Sequence, residues 1–154
     1  MYSVQPSKEN HALHLAKPMR RQDKLEIDAS GTDPITALTY PLLQENAQTV
    51  TLLYKNEPVL MGGTVGESIG VARLWMLSSD KAFIYPVKLG VLFKKWIDFF
   101  HKPYEVLYNY VWNGNDKALN LIKHLNCTVE EELVQRKNLD FVKFIRCKNQ
   151  QTLL

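Results

Sequence analysis

The stretch Tyr104–Leu125, YEVLYNYVWNGNDKALNLIKHL, decides the fold. Tyr104 to Trp112 is rich in Tyr, Val and Leu and reads as a strand. Asn113-Gly114-Asn115 is turn chemistry. Asp116 to Leu125 has helical spacing, with Ala118, Leu121, Ile122 and Leu125 on one inward face. A strand that passes through a short turn into an amphipathic helix belongs to a domain with helices packed on a sheet.

Working back, Leu89, Leu92, Phe93, Trp96, Ile97 and Phe100 form one apolar stripe, with Lys88, Lys94, Lys95 and Asp98 on the other side. That pattern predicts a helix stopped by Pro103. Val71 to Leu77 is apolar apart from Arg73, as a strand covered on both faces requires. Thr49–Tyr54 and Val59–Met61 flank the turn Lys55-Asn56-Glu57-Pro58 and read as a hairpin, loosened at its end by Gly62-Gly63 and Gly66. Earlier, Tyr2–Pro6 reads as a strand. Helices are expected at Lys8–Ala16, at Met19–Ala29 with Pro18 in its first turn and a largely exposed surface, and at Ile35–Gln44, disturbed by Pro41. After Leu125, Thr128–Val134 and Leu139–Arg146 read as a closing hairpin around Gln135–Asn138. The order is strand, helices, hairpin, central strand, helix, strand, helix, hairpin. It implies one domain with a mixed sheet flanked by helices.

The bulk numbers narrow the function classes. The 154 residues are 45% hydrophobic and 23% charged, with a net charge of +3, an ordinary globular composition. No apolar run reaches membrane-spanning length, and the first residues have no signal-peptide core, so a soluble protein of a cytoplasm is expected, or of something assembled there. Arg20-Arg21 and Lys94-Lys95 are expected on solvated helix faces, without the dense basic stripe of a nucleic-acid footprint. Cys127 and Cys147 are expected reduced and buried, and the four histidines fall at no metal-ligand spacing.

This order and these residues resemble the GNAT acyltransferases, an α/β (α+β) class with a mixed, mostly antiparallel central sheet flanked by helices. The family's pattern after the fifth strand is Asn, Ala three residues on, an aliphatic, Tyr at plus seven and an apolar-Gly-Phe ending. Asn115, Ala118, Leu119, Leu121 and Leu125 match it; Ile122 stands at the Tyr, and Asn126-Cys127 at Gly-Phe. Asn126 can still take the left-handed turn that Gly would take. Nearly the whole chain also resembles the small internal virion or head-morphogenesis proteins of short-tailed, T-seven-like phages. That likeness is carried by Val4–Lys8, Asp23 and Glu26 ahead of Ala29-Ser30-Gly31, Val50-Thr51-Leu52, Gly62-Gly63, Trp75 with Ser79-Asp80, and Asn109–Trp112 followed by Gly114-Asn115.

The GNAT resemblance implies acetyl-CoA as cofactor and an amine as acceptor. It would lay the pantetheine arm along Trp75, Met76 and Leu77. Ser78 and the helix start around Lys88, Leu89, Gly90 and Val91 would meet the phosphates, with Asn115 and Ala118 on the arm. One Gly is a sparse phosphate loop, so the segment either holds an anion at a helix N-terminus or only links strand to helix. With Ile122 unable to give a proton, Tyr108 or Tyr110 is either a replacement acid or a wall of core and cleft. Glu45, Glu57 and Glu67 are the loop and strand-end carboxylates that could face the cleft as a base. His101 and His124 are expected as cations at helix ends. Two functions follow. One is N-acyl transfer from acetyl-CoA; the other is a non-catalytic GNAT-derived protein whose partners are phage structural proteins, in the host cytoplasm or the particle.

Overall fold

The computed structural model describes residues 1–148. Seven strands are present: β1 (Tyr2–Pro6), β2 (Ala47–Tyr54), β3 (Glu57–Ser68), β4 (Val71–Ser78), β5 (Val106–Trp112), β6 (Thr128–Arg136) and β7 (Leu139–Cys147). They form one sheet in the order β1-β2-β3-β4-β5-β7-β6. All neighbours are antiparallel except β4 and β5, which run parallel for three residue pairs, from Val71↔Val106 to Arg73↔Tyr108. Beyond Arg73 the two strands part. The expected mixed, mostly antiparallel sheet with flanking helices is what the chain adopts.

Helices cover both faces. α1 (Glu9–Leu15), α2 (Arg21–Ala29) and α3 (Pro34–Thr39) bury Ala12, Leu15, Ile27 and Leu38 against Met61, Trp75 and Leu77. On the other face α4 (Pro86–Phe100) buries Leu89, Phe93, Ile97 and Phe100 against Leu52, Leu60, Ala72 and Leu107. α5 (Asp116–His124) packs Ile122 on Val111, Val142 and Phe144. Alternating side chains of β3 and β4 thus feed two cores, as a strand's period of two dictates.

Several expectations are corrected. α2 starts at Arg21, after a turn that holds Pro18; Met19 instead bridges to Ser79, and the Arg20 N–H donates to the Ser78 carbonyl. α2 is also less exposed than its charge suggests, since Asp23, Ile27 and Ala29 are buried, and Arg20 is 2% exposed rather than solvated. The first hairpin turns on two residues, Lys55 and Asn56, both at positive φ, a turn whose twist matches the strands. Glu57 and Pro58 already belong to β3, which runs on through Gly62, Gly63 and Gly66. Gly63 permits a close approach: a Cβ there would lie 1.8 Å from the Gln48 carbonyl oxygen. The third helix stops at Thr39, and Pro41 sits in a 3₁₀ turn, Tyr40–Leu43. Cys147 is exposed, not buried.

Candidate functional site

The parting of β4 and β5 opens a cleft of about 1020 Å³ that passes through the sheet. Leu74 to Leu77 of β4 and Asn109 to Val111 of β5 form its walls, and Ala118, Leu121 and Ile122 of α5, with Leu125 at its C-cap, close one side. In the strand alternation, Leu74, Met76 and Ser78 direct their peptide groups toward β5, and Tyr108, Tyr110 and Trp112 direct theirs toward β4. These are the groups a ligand lying in the gap would meet.

Several of these groups are held by the chain's own side chains. Low in the gap, the Asn109 amide nitrogen donates to the Leu74 carbonyl (3.0 Å) and its oxygen accepts from the Tyr110 N–H (2.8 Å). At the open end, Asp23 accepts from the Ser78 N–H at 3.0 Å, and Glu26 accepts from the Trp112 N–H at 2.8 Å. Asn115 lies between the two carboxylates, donating to Glu26 at 3.1 Å and to Asp23 at 3.4 Å. Its oxygen accepts from Arg20 at 3.1 Å and caps α5 through the Ala118 N–H at 3.4 Å. Arg20 also donates to Asp23 at 3.4 Å and lies over the Phe83 ring. Asp23 and Glu26 are one helical turn apart, so α2 reaches both strand ends from one face.

Burial sets the charge of this cluster. It raises the Asp23 pKa, against the pull of the Arg20 guanidinium and the Ser78 N–H. It raises Glu26 to about 7, against hydrogen bonds from Trp112 and Asn115. Near neutral pH Glu26 is therefore partly protonated. The Asp23 carboxyl is the buried partner of the Arg20 guanidinium, and a buried ion is tolerated only when paired.

Trp75, Met76, Leu77, Tyr110, Asn115 and Ala118 come together on the cleft lining. Ser78, Lys88, Leu89, Gly90, Val91 and Tyr108 lie off it. Ser78 is fully buried behind Asp23. Leu89 is in the core, and Gly90 faces α5, where an added Cβ would lie 3.0 Å from His124 Nε2. In the link from β4 to α4, the N–H of Ala82 donates to the Ser79 carbonyl, that of Ile84 to the Lys81 carbonyl, and that of Tyr85 to the Tyr2 hydroxyl oxygen. The Tyr108 hydroxyl donates to Glu67, which also pairs with Arg73. Tyr110 is stacked under Arg136, with 4.7 Å between guanidinium and ring. Ile122 occupies the cleft wall at the Tyr position, and Asn126 takes the expected left-handed conformation, φ 59°.

Of the three carboxylates, Glu67 lines the cleft, whereas Glu57 pairs with Lys81 and His14 and Glu45 is exposed. His101 is buried with its pKa lowered by desolvation, a neutral imidazole bonded to the Tyr104 carbonyl rather than a helix-end cation. Arg20, Asp23 and Glu26 are what residue-level reading missed. In the sequence, Asp23 and Glu26 stand out only as points of the phage resemblance.

Comparison with solved structures decides the fold. The ribosomal-protein-S18-alanine N-acetyltransferase of Escherichia coli superposes with a TM-score of 0.71, covering 100% of this chain and 99% of that one at 13% identity. This chain has the GNAT fold. A GNAT-family acetyltransferase from Streptococcus pneumoniae gives 0.67 over 96% of this chain and 99% of its own, at 12% identity. The aminoglycoside acetyltransferase AAC(6')-Ib, solved in complex with coenzyme A, gives 0.67 over 96% and 95%, at 14% identity. In sequence, the chain is 29% identical over 114 residues to the "Probable scaffold protein gp13" of Escherichia phage T7, spanning 71% of this chain and 74% of that protein. No family model matches the chain.

Proposed function

We propose that this chain keeps the GNAT scaffold without its acyl transfer and serves as a structural protein in phage particle assembly. One observation carries the reading: the gap between β4 and β5 is bridged by the chain's own Asn109, Asp23, Asn115 and Glu26. A pantetheine arm placed there would have to displace these internal hydrogen bonds, of which those to the Asp23 carboxyl are buried and costly to leave unmade. The phosphates of coenzyme A would meet two carboxylates at the open end, with Asp80 beside them. The amides of Ala82, Ile84 and Tyr85, which could cradle an anion, already have partners. The residues present do not fit the phosphate end of the cofactor. The likeness to the T7 scaffold protein supports a reading with phage structural proteins as partners, in the host cytoplasm or the particle.

A second reading, transfer of acetyl from acetyl-CoA to an amine, is favoured by the cleft itself, where Trp75, Met76, Leu77, Tyr110, Asn115 and Ala118 meet. Calorimetric titration with acetyl-CoA separates the two. No heat of binding at ~1 mM ligand is expected, a ceiling of about 4 kcal/mol on affinity. Saturable micromolar binding, with amine-dependent release of free CoA thiol, would replace the structural reading with the enzymatic one.

A further inference from the structure

Two exposed surfaces of the molecule are complementary. The outer side of α4 exposes Val87, Lys88, Val91, Lys94, Lys95, Asp98 and Phe99, with Lys102 just beyond. Val87 is 79% exposed and Val91 55%, so apolar surface lies among the lysines. Among the described residues, none of these four lysines forms an ion pair. From Val87 to Lys102 the face is roughly 22 Å long at helical rise.

The other surface is β6, the last strand of the sheet. Thr128 to Leu133 is exposed throughout. Val129 and Leu133 are apolar, and Glu130, Glu131 and Glu132 lie between them in a bulge where pairing with β7 is interrupted. These glutamates also form no ion pair among the described residues. A charged, bulged edge resists strand-to-strand pairing, so a partner would meet its side chains. At strand rise the exposed stretch Thr128–Leu133 spans roughly 17 Å, so it fits within the length of the lysine face.

We infer that the α4 face of one copy docks on the β6 edge of a second copy, joining the chain to itself head to tail. The charges are opposite in sign, each patch carries exposed aliphatics among its charges, and α5, packed over β5 and β7, separates the two surfaces. One molecule can therefore use both at once. Such a contact is heterologous, and if its rotation does not close it builds open assemblies. The inference stands whether or not the cleft turns over an acyl group.

Sedimentation of the full chain tests it. At ~50 mM salt the wild type should form larger species as concentration rises, and at ~500 mM salt it should revert toward monomer, because exposed charge pairs are screened. Reversal of one face, Lys88→Glu/Lys94→Glu/Lys95→Glu or Glu130→Lys/Glu131→Lys/Glu132→Lys, should weaken association about tenfold or more. The chain carrying both reversals should regain it. Circular dichroism and a cooperative melt identify which variants are folded, and the salt series on the wild type needs no variant. A wild type that stays monomeric at low salt overturns the inference, as does association insensitive to either reversal, or a folded double reversal that stays monomeric. Binding of duplex DNA by an otherwise monomeric wild type would overturn it in favour of a nucleic-acid partner.

Discussion

Glu26 Oε1 accepts the Trp112 N–H at 2.8 Å, tying α2 to the end of β5 across the mouth of the gap. Burial holds this carboxyl's pKa near 7, against an ordinary 4.5. The folded protein therefore keeps a proton that the unfolded chain releases. With the folded value raised, the contribution to stability is full below about pH 4.5 and is lost as pH rises through about 7. Glu26→Gln keeps an acceptor for Trp112 and Asn115 and removes the titration. Urea denaturation at pH 5 and pH 8 should show the wild type losing up to about 3 kcal/mol more than the variant between the two. Parallel losses in both would show that Glu26 is not the titrating group.

The fold was legible because its signals are local and periodic. The stripe Leu89 to Phe100 and the strand-turn-helix from Val106 to His124 lie where the sequence puts them. The site was less legible because its decisive contacts are remote in sequence: Asp23 meets Ser78 and Asn115, and Glu26 meets Trp112. Nothing in the charge pattern of Arg21–Ala29 separates a carboxylate that caps a strand end from one facing water. Gly90 misled for a related reason. Its position one turn inside a helix suits either a phosphate or a neighbouring helix, and only the approach of His124 distinguishes them.

Asp23 carries more of the fold than its place in a polar helix suggests. Asp23→Ala would strand the Ser78 N–H and leave Arg20, 2% exposed, without its buried counter-charge. Removing one member of a buried pair typically costs about 3–5 kcal/mol. A loss of that size is expected in the urea midpoint at unchanged slope. A loss under about 1 kcal/mol would mean that water reaches the guanidinium.

Two glycines make opposite predictions. At Gly63 a Cβ would lie 1.8 Å from the Gln48 carbonyl oxygen and 2.8 Å from its carbon, backbone atoms of the paired strand that cannot turn aside. Gly63→Ala must force β2 and β3 apart, and a destabilisation above about 4 kcal/mol is expected, the range reserved for gross steric or packing faults. At Gly90 the Cβ would meet only the His124 ring, 3.0 Å away, on an exposed side chain that can move. The helix then gains the propensity difference between Ala and Gly, about 1 kcal/mol at most. Gly90→Ala should therefore be neutral to mildly stabilising in a thermal melt. A large loss there would show that His124 is fixed against α4 and that the α4–α5 contact is as tight as the β2–β3 one.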